Sequence, residues 1–297
     1  MIIKFKIRKV MLNNLKAKKV INACFAISMV FLCSCSASFT YNNLSWLSSF
    51  WVDDYIDLNK TQNKQLKQII NSTQAWHRST QLPAYKQDIQ NIKALFNTTL
   101  SNDQLKEQVV FAKKHWQNLL EYAHMPLAEL GATLSSEQRE ELLNNIQIKI
   151  NDEREEFNEQ TPLERKSERL EEQFEYYEQW IGKLNKQQKA LIKSTNEQHQ
   201  DSEALWLEYK QTRLNAAKQV FTNAEITKKE FINQLSTVIK ERELYMSDAL
   251  LKTNEANLDL YINLLYELNS TLNDKQRQSV NDQFDELIET LNDIIEN

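Results

Sequence analysis

Apolar residues recur in steps of three and four along almost the whole chain after Asn59, with polar residues between them. Val280, Phe284, Leu287, Ile288, Leu291, Ile294 and Ile295 form one such stripe. Leu163, Leu170, Phe174, Tyr177, Ile181 and Leu184 form a second, and Phe231, Leu235, Val238, Ile239 and Tyr245 a third. A period near 3.6 places each set on one face of a helix, leaving Glu, Lys, Gln and Asn for the other. No stretch alternates β-branched and polar residues between turns, as a half-buried strand would. The pattern predicts an all-α protein, an elongated bundle of long amphipathic helices.

A short motif marks where helices begin. It occurs as Leu58-Asn59-x-x-Gln62, Leu100-Ser101-x-x-Gln104, Leu134-Ser135-x-x-Gln138, Leu184-Asn185-x-x-Gln188 and Leu272-Asn273-x-x-Gln276. A Ser or Asn at the N-cap accepts a bond from the third helical amide, and a Gln there reaches back to the cap's own amide. The Leu in front is placed for a hydrophobic staple, as Leu100 is with Leu105. Thr161-Pro162-Leu163-Glu164 follows the same logic, with Pro at the first helical position. Helix starts are therefore expected near 59, 101, 135, 162, 185 and 273. A second reading is an inherited repeat resembling the Leu-Thr-x-x-Gln motif of small periplasmic chaperones. Spacings of 42, 34, 50 and 88 are too uneven for a solenoid. Pro126, close to Gly131, predicts the end of the helix that begins at Ser101.

Composition narrows the alternatives. The 297 residues include 2 Gly and 3 Pro, where average usage gives roughly twenty and fifteen. Sandwiches, barrels and Gly-rich phosphate loops need those residues for their turns, so these classes are excluded. With 41% apolar residues the chain can still bury a core.

The N-terminus reads as an address. Lys4, Lys6, Arg8, Lys9, Lys16, Lys18 and Lys19 precede a mostly apolar run, Val20 to Leu32, which is short for a membrane-spanning helix and right for a signal peptide. Either Met1 or Met11 leaves basic residues ahead of that run. The run ends in Leu32-Cys33-Ser34-Cys35, which resembles a bacterial lipobox with Cys35 as the lipidated residue. Cys33 fits poorly, because Leu32 would then fill the position before it. Cys24, Cys33 and Cys35 are the three cysteines, so a mature chain would carry no thiol outside the anchor and no disulfide. Ser36, where the general lipoprotein pattern uses Asp for inner-membrane retention, points to the outer membrane; the periplasmic side is expected rather than the surface. The expected organisation is a leader over 1–34, an anchor-proximal aromatic segment over 35–58 and one helical domain over 59–297. Without the leader the chain has 29 bases against 41 acids, a net charge of −12. Such a chain repels a phosphate backbone, and nucleic acid is rejected as a partner.

The most unusual chemistry lies near the anchor. Tyr41-Asn42-Asn43, Trp46, Trp51-x-x-x-Tyr55-x-Asp57-Leu58, Trp76-His77-Arg78 and Leu82-Pro83-x-Tyr85 follow one another closely. With the lipobox, these motifs resemble a family of Gram-negative outer-membrane lipoproteins catalogued as a domain of unknown function. The resemblance extends to Pro126-Leu127, Leu134-Ser135-x-x-Gln138 and Trp180-x-x-x-Leu184. It implies a helical outer-membrane lipoprotein and no mechanism. The candidate functional or structural cluster is Trp46, Trp51, Asp54, Tyr55, Asp57, Trp76, His77, Arg78, Pro83 and Tyr85.

Two readings of that cluster stand. His77 could act as a general base oriented by Asp54 or Asp57, as in an envelope or cell-wall hydrolase. Alternatively Trp76 packs in the core while His77 and Arg78 cap or pair with the Asp residues. The four His (77, 115, 124 and 199) are scattered without metal-ligand spacing, so neither a metal nor a cofactor is expected. His115 reads as a helix-face residue, and the Glu/Arg-rich stretch 153–169 as a solvated face with i,i+4 pairs. Trp46 and Trp51 suit a membrane interface or the closed end of the bundle. The expected function is a tethered, non-enzymatic scaffold or chaperone-like module, with the membrane and a protein as partners.

Overall fold

The computed structural model describes residues 34–98 and 100–297. The expected leader, with its apolar run and Cys33, lies outside the described residues. Among the described residues twelve α-helices follow one another: α1 (Ser34–Asn42), α2 (Leu44–Asp53), α3 (Lys60–Trp76), α4 (Leu82–Phe96), α5 (Asn102–Gly131), α6 (Ser136–Glu159), α7 (Pro162–Ile181), α8 (Lys186–Gln198), α9 (Glu203–Thr222), α10 (Lys228–Lys240), α11 (Asp248–Ser270) and α12 (Asp274–Glu296). A π-helical turn, His77–Gln81, joins α3 to α4, and a 3-10 turn, Arg242–Tyr245, follows α10. No strand occurs among the described residues.

All six expected helix starts are capping boxes, at Asn59, Ser101, Ser135, Thr161, Asn185 and Asn273. A seventh box at Thr227 and Glu230 begins α10. It follows Ile226 and uses Thr and Glu, so the Leu-led pattern does not find it. Leu100 and Leu105 meet in a buried cluster with Ile262, which completes the expected staple.

Four of the five Leu-led boxes do more than cap. Gln62 and Gln138 bond amide to amide in both directions, at 2.9 and 2.8 Å. The remaining hydrogen of each amide goes to the carbonyl just before the other motif's Leu: Gln62 donates to Thr133 and Gln138 to Asp57. Gln188 and Gln276 repeat this arrangement at 3.0 Å each way, donating to Thr271 and Lys183. Each pair is a clasp that fastens two helix starts together. A buried amide has four hydrogen-bonding sites to satisfy, and these positions satisfy them. Gln188 is 0% and Gln276 6% exposed.

The clasps sit beside two cores. In the first, Leu66 of α3, Leu130 of α5, Ile150 of α6, Leu214 of α9 and Leu235 of α10 pack with Ile56 and Leu58. In the second, Tyr177 and Ile181 of α7, Ile192 of α8, Leu264 and Leu268 of α11, and Val280 and Phe284 of α12 pack together. The third stripe of the sequence thus faces the first core; the second stripe, with Val280 and Phe284 of the first, faces the second. Leu163 is the exception at 76% exposed, because it falls in the first turn of α7, which points to solvent. After α7 the chain turns at Gly182, whose φ of +77° and ψ of −159° are open in practice only to Gly.

Pro126 does not end its helix. α5 runs through it to Gly131, because Ala128, Leu130 and Gly131 are buried. A Cβ on Gly131 would stand 2.5 Å from Leu235 Cδ2 of α10, so a glycine lets the two helices approach closely. That packing outweighs the one ladder bond that Pro126 removes.

The Glu/Arg-rich stretch is mostly exposed, and several of its charges reach other parts of the fold. Lys210 of α9 pairs with Glu153 of α6, and Arg165 reaches Asp201 at 2.9 Å. Arg165 also lies over the Phe157 ring, and Arg169 donates to Asn196. These cations tie helices together.

Candidate functional site

The π turn builds the site. Pro83 has no amide hydrogen and crowds the carbonyl four residues before it, so the helical ladder is interrupted there. It widens for one turn, with the Leu82 amide bonding the His77 carbonyl. Ser79 and Thr80 send their hydroxyls back to the Ala75 and Trp76 carbonyls. Widened turns of this kind mark functional positions in many helices. Here the turn aims His77 between two tyrosines.

His77 Nδ1 lies 3.1 Å from the Tyr41 hydroxyl, and Nε2 lies 3.1 Å from the Tyr85 hydroxyl. Tyr41 donates its hydrogen to the Gln74 carbonyl at 3.2 Å. The Tyr41 oxygen is then an acceptor, so the network assigns the imidazole proton to Nδ1 and lets Nε2 accept from Tyr85. Burial, with His115 nearby, holds the His77 pKa below its ordinary 6.5 and the ring neutral. Burial likewise pushes both tyrosines up, at Tyr41 against the opposing pull of Arg78. Arg78 bonds Asn42 and lies 5.3 Å over the Tyr41 ring, while Gln74 bonds the Tyr41 carbonyl.

A second layer stands behind Tyr85. His115 of α5 packs edge-on against that ring at 4.4 Å, and its Nε2 lies 2.6 Å from an Asp88 oxygen. His115 Nδ1 is buried without a hydrogen-bond partner, as is Arg78 Nε.

The expected cluster divides. Trp76, His77, Arg78, Pro83 and Tyr85 belong to this site or its immediate frame. Trp76 is half-buried rather than in a core, stacked on Tyr122 at 4.4 Å. Asp54 and Asp57 are exposed and do not orient His77, because both of its ring nitrogens face tyrosine hydroxyls. Nor do they pair with Arg78, which reaches α1 instead. Asp57 contributes backbone: its amide bonds Glu141 and its carbonyl receives Gln138. Tyr55 packs against the first core, and its carbonyl accepts from Asn145. Trp46 and Trp51 are exposed on α2. The sequence reading passed over Asp88 and Tyr122, and it took His115 for a helix-face residue rather than a neighbour of Asp88 and Tyr85. It met Tyr41 as part of a motif and not as a site residue.

Chemically, a neutral imidazole between two neutral hydroxyls is a hydrogen-bonded latch. It fastens α1, which carries Cys35, to the π turn and α4. Both ring nitrogens of His77 are engaged by tyrosine hydroxyls.

Amphipathic helices, seven of them opened by capping boxes, pack around two apolar cores and define an all-α bundle. The chain belongs to a family of unknown function, DUF6279, whose profile matches residues 54–250. Among curated proteins and solved structures nothing matches. The matched segment contains the first clasp, His77 and His115, but neither Tyr41 nor Gln276.

The latch has a pH signature. The unfolded chain takes up a proton at His77 before the folded one does, so its contribution to stability is complete above about 6.5 and is lost as pH falls below that value. His199, lowered by burial and by Arg169, acts in the same direction. The melting temperature should therefore drop between pH 7.5 and pH 5.5. The drop should shrink in a His77→Gln, His199→Gln chain, and an equal drop in that variant would assign it to other groups.

Proposed function

We propose that this protein is held by a lipidated Cys35 on the periplasmic side of the outer membrane. It works there by binding, as a scaffold or chaperone-like module, rather than by catalysis. One observation carries the membrane part. Directly after Cys35, Phe39, Trp46, Phe50 and Trp51 are 61, 56, 56 and 44% exposed, with Trp46 and Phe50 packed edge to face. Amphipathic aromatic rings favour the layer between headgroups and acyl chains, and a concentrated apolar ridge calls for a covering surface. No helix among the described residues is long and apolar enough to cross a membrane, so attachment on this reading rests on the acyl chains and the ridge. The binding part is supported by the latch, which commits both nitrogens of His77 to structure.

Cys35→Ala tests the anchor. The substituted chain should incorporate no labelled fatty acid and should leave the membrane fraction; acyl labelling that persists would defeat the lipobox. His77→Ala tests the rest, because a chain that melts like wild type yet reproduces the phenotype of deleting the gene would restore a catalytic reading.

A further inference from the structure

A cleft of about 530 Å³ opens into the first core, between α3, α5, α6, α9 and α10. Its walls are apolar, with Leu66, Leu127, Ile146, Ala217 and Leu235 among them. Its charged side chains gather among the exposed lining residues, at the mouth: Lys149, Glu153 and Lys210, with Arg213 half-buried beside them. Lys210 is paired with Glu153. Arg213 directs Nε and Nη2 to the Val238 and Ile239 carbonyls at the end of α10. Lys149 has no carboxylate partner among the described residues. A chain with a net charge of −5 thus presents three cations and one acid at the entrance to an apolar cavity.

The volume lies within the roughly 300–1,000 Å³ of small-molecule sites. A partner helix is too thick. At about 10 Å across, little more than one turn of it would fill 530 Å³. An extended peptide would bring amides and carbonyls to walls that offer them no partner. An alkyl chain brings none, and an anionic head at its end would meet Lys149 and Arg213.

We propose that the cleft binds a free fatty acid, its chain among the first-core residues and its carboxylate against Lys149 and Arg213. This deepens the reading of the protein as a membrane-seated binding module and rests on it.

The test uses the full chain in phosphatidylethanolamine vesicles with a diazirine-bearing palmitate, with crosslinked peptides mapped by mass spectrometry. Wild type should label on α6 and α9, around Ile146 and Ala217. Ala217→Trp, which fills the cavity, should lower that labelling at least tenfold with melting and helicity retained. Lys149→Glu, a surface change that leaves the core intact, should lower it several-fold. Labelling should persist in Cys35→Ala, even where that variant loses its anchor, so failure of the membrane reading is seen separately. Three results would overturn the proposal. Labels confined to α2 mean bilayer contact alone. Cleft labels absent from wild type that appear in Cys35→Ala mean the occupant is the protein's own acyl chain. Cleft labels indifferent to both Ala217→Trp and Lys149→Glu mean the probe sits elsewhere.

Discussion

Replacing Gln188 by Leu should cost about 3–5 kcal/mol. The substitution removes a capping box worth about 1 kcal/mol and strands the Gln276 amide in the interior, where each unsatisfied polar group costs about 1–3 kcal/mol. Gln276→Leu should cost a similar amount for the same reason. The double variant should recover part of the sum, because no buried amide is then left without its partner. Gln104 supplies the control, since it closes a capping box outside either clasp: its Oε1 accepts from the Ser101 amide at 2.9 Å. Gln104→Ala should cost only about 1 kcal/mol. Chemical denaturation of the four variants gives the cycle, and strict additivity of Gln188→Leu and Gln276→Leu would dissolve the clasp.

Leu264→Ala should cost about 3–5 kcal/mol, near the top of the range for buried leucines, because at 1% exposure it is enclosed within the second core. Leu66→Ala should cost less, about 2–3 kcal/mol, although Leu66 is itself only 7% exposed. One side of Leu66 faces the cleft and has no packing atoms to lose. Equal costs for the two variants would mean that the cleft is collapsed in solution.

Local signals carried the helix map. An N-cap and its third residue talk across three positions, so Asn59 with Gln62 or Asn273 with Gln276 can be read from the sequence. The clasps could not. They join residues 76 and 88 apart, and nothing at Gln62 announces Gln138. The same limit governs the latch. The motifs drew attention to Trp76-His77-Arg78, yet the partners of His77 come from α1 and α4, and the Asp residues that looked adjacent in sequence point to solvent. Asp88 and His115 lie on two different helices and share no motif. Pro126 misled for a related reason. A proline's cost to the ladder is local, whereas the burial of Ala128, Leu130 and Gly131 that repays it belongs to the tertiary fold.

α1 lies against α12, so the segment that carries Cys35 and the last helix of the chain are neighbours. A ribosome delivers α1 long before the α12 that it packs against. Asn42 closes α1 and Asp274 opens α12, and at about 5–20 residues per second the interval between them is roughly 10–50 s. For all that time α1 has no α12 to lean on, although Gln74 and His77 arrive early enough to hold Tyr41. The end of the molecule that carries Cys35 is thus the last to be finished, and a nascent chain stalled before α12 would keep that face open.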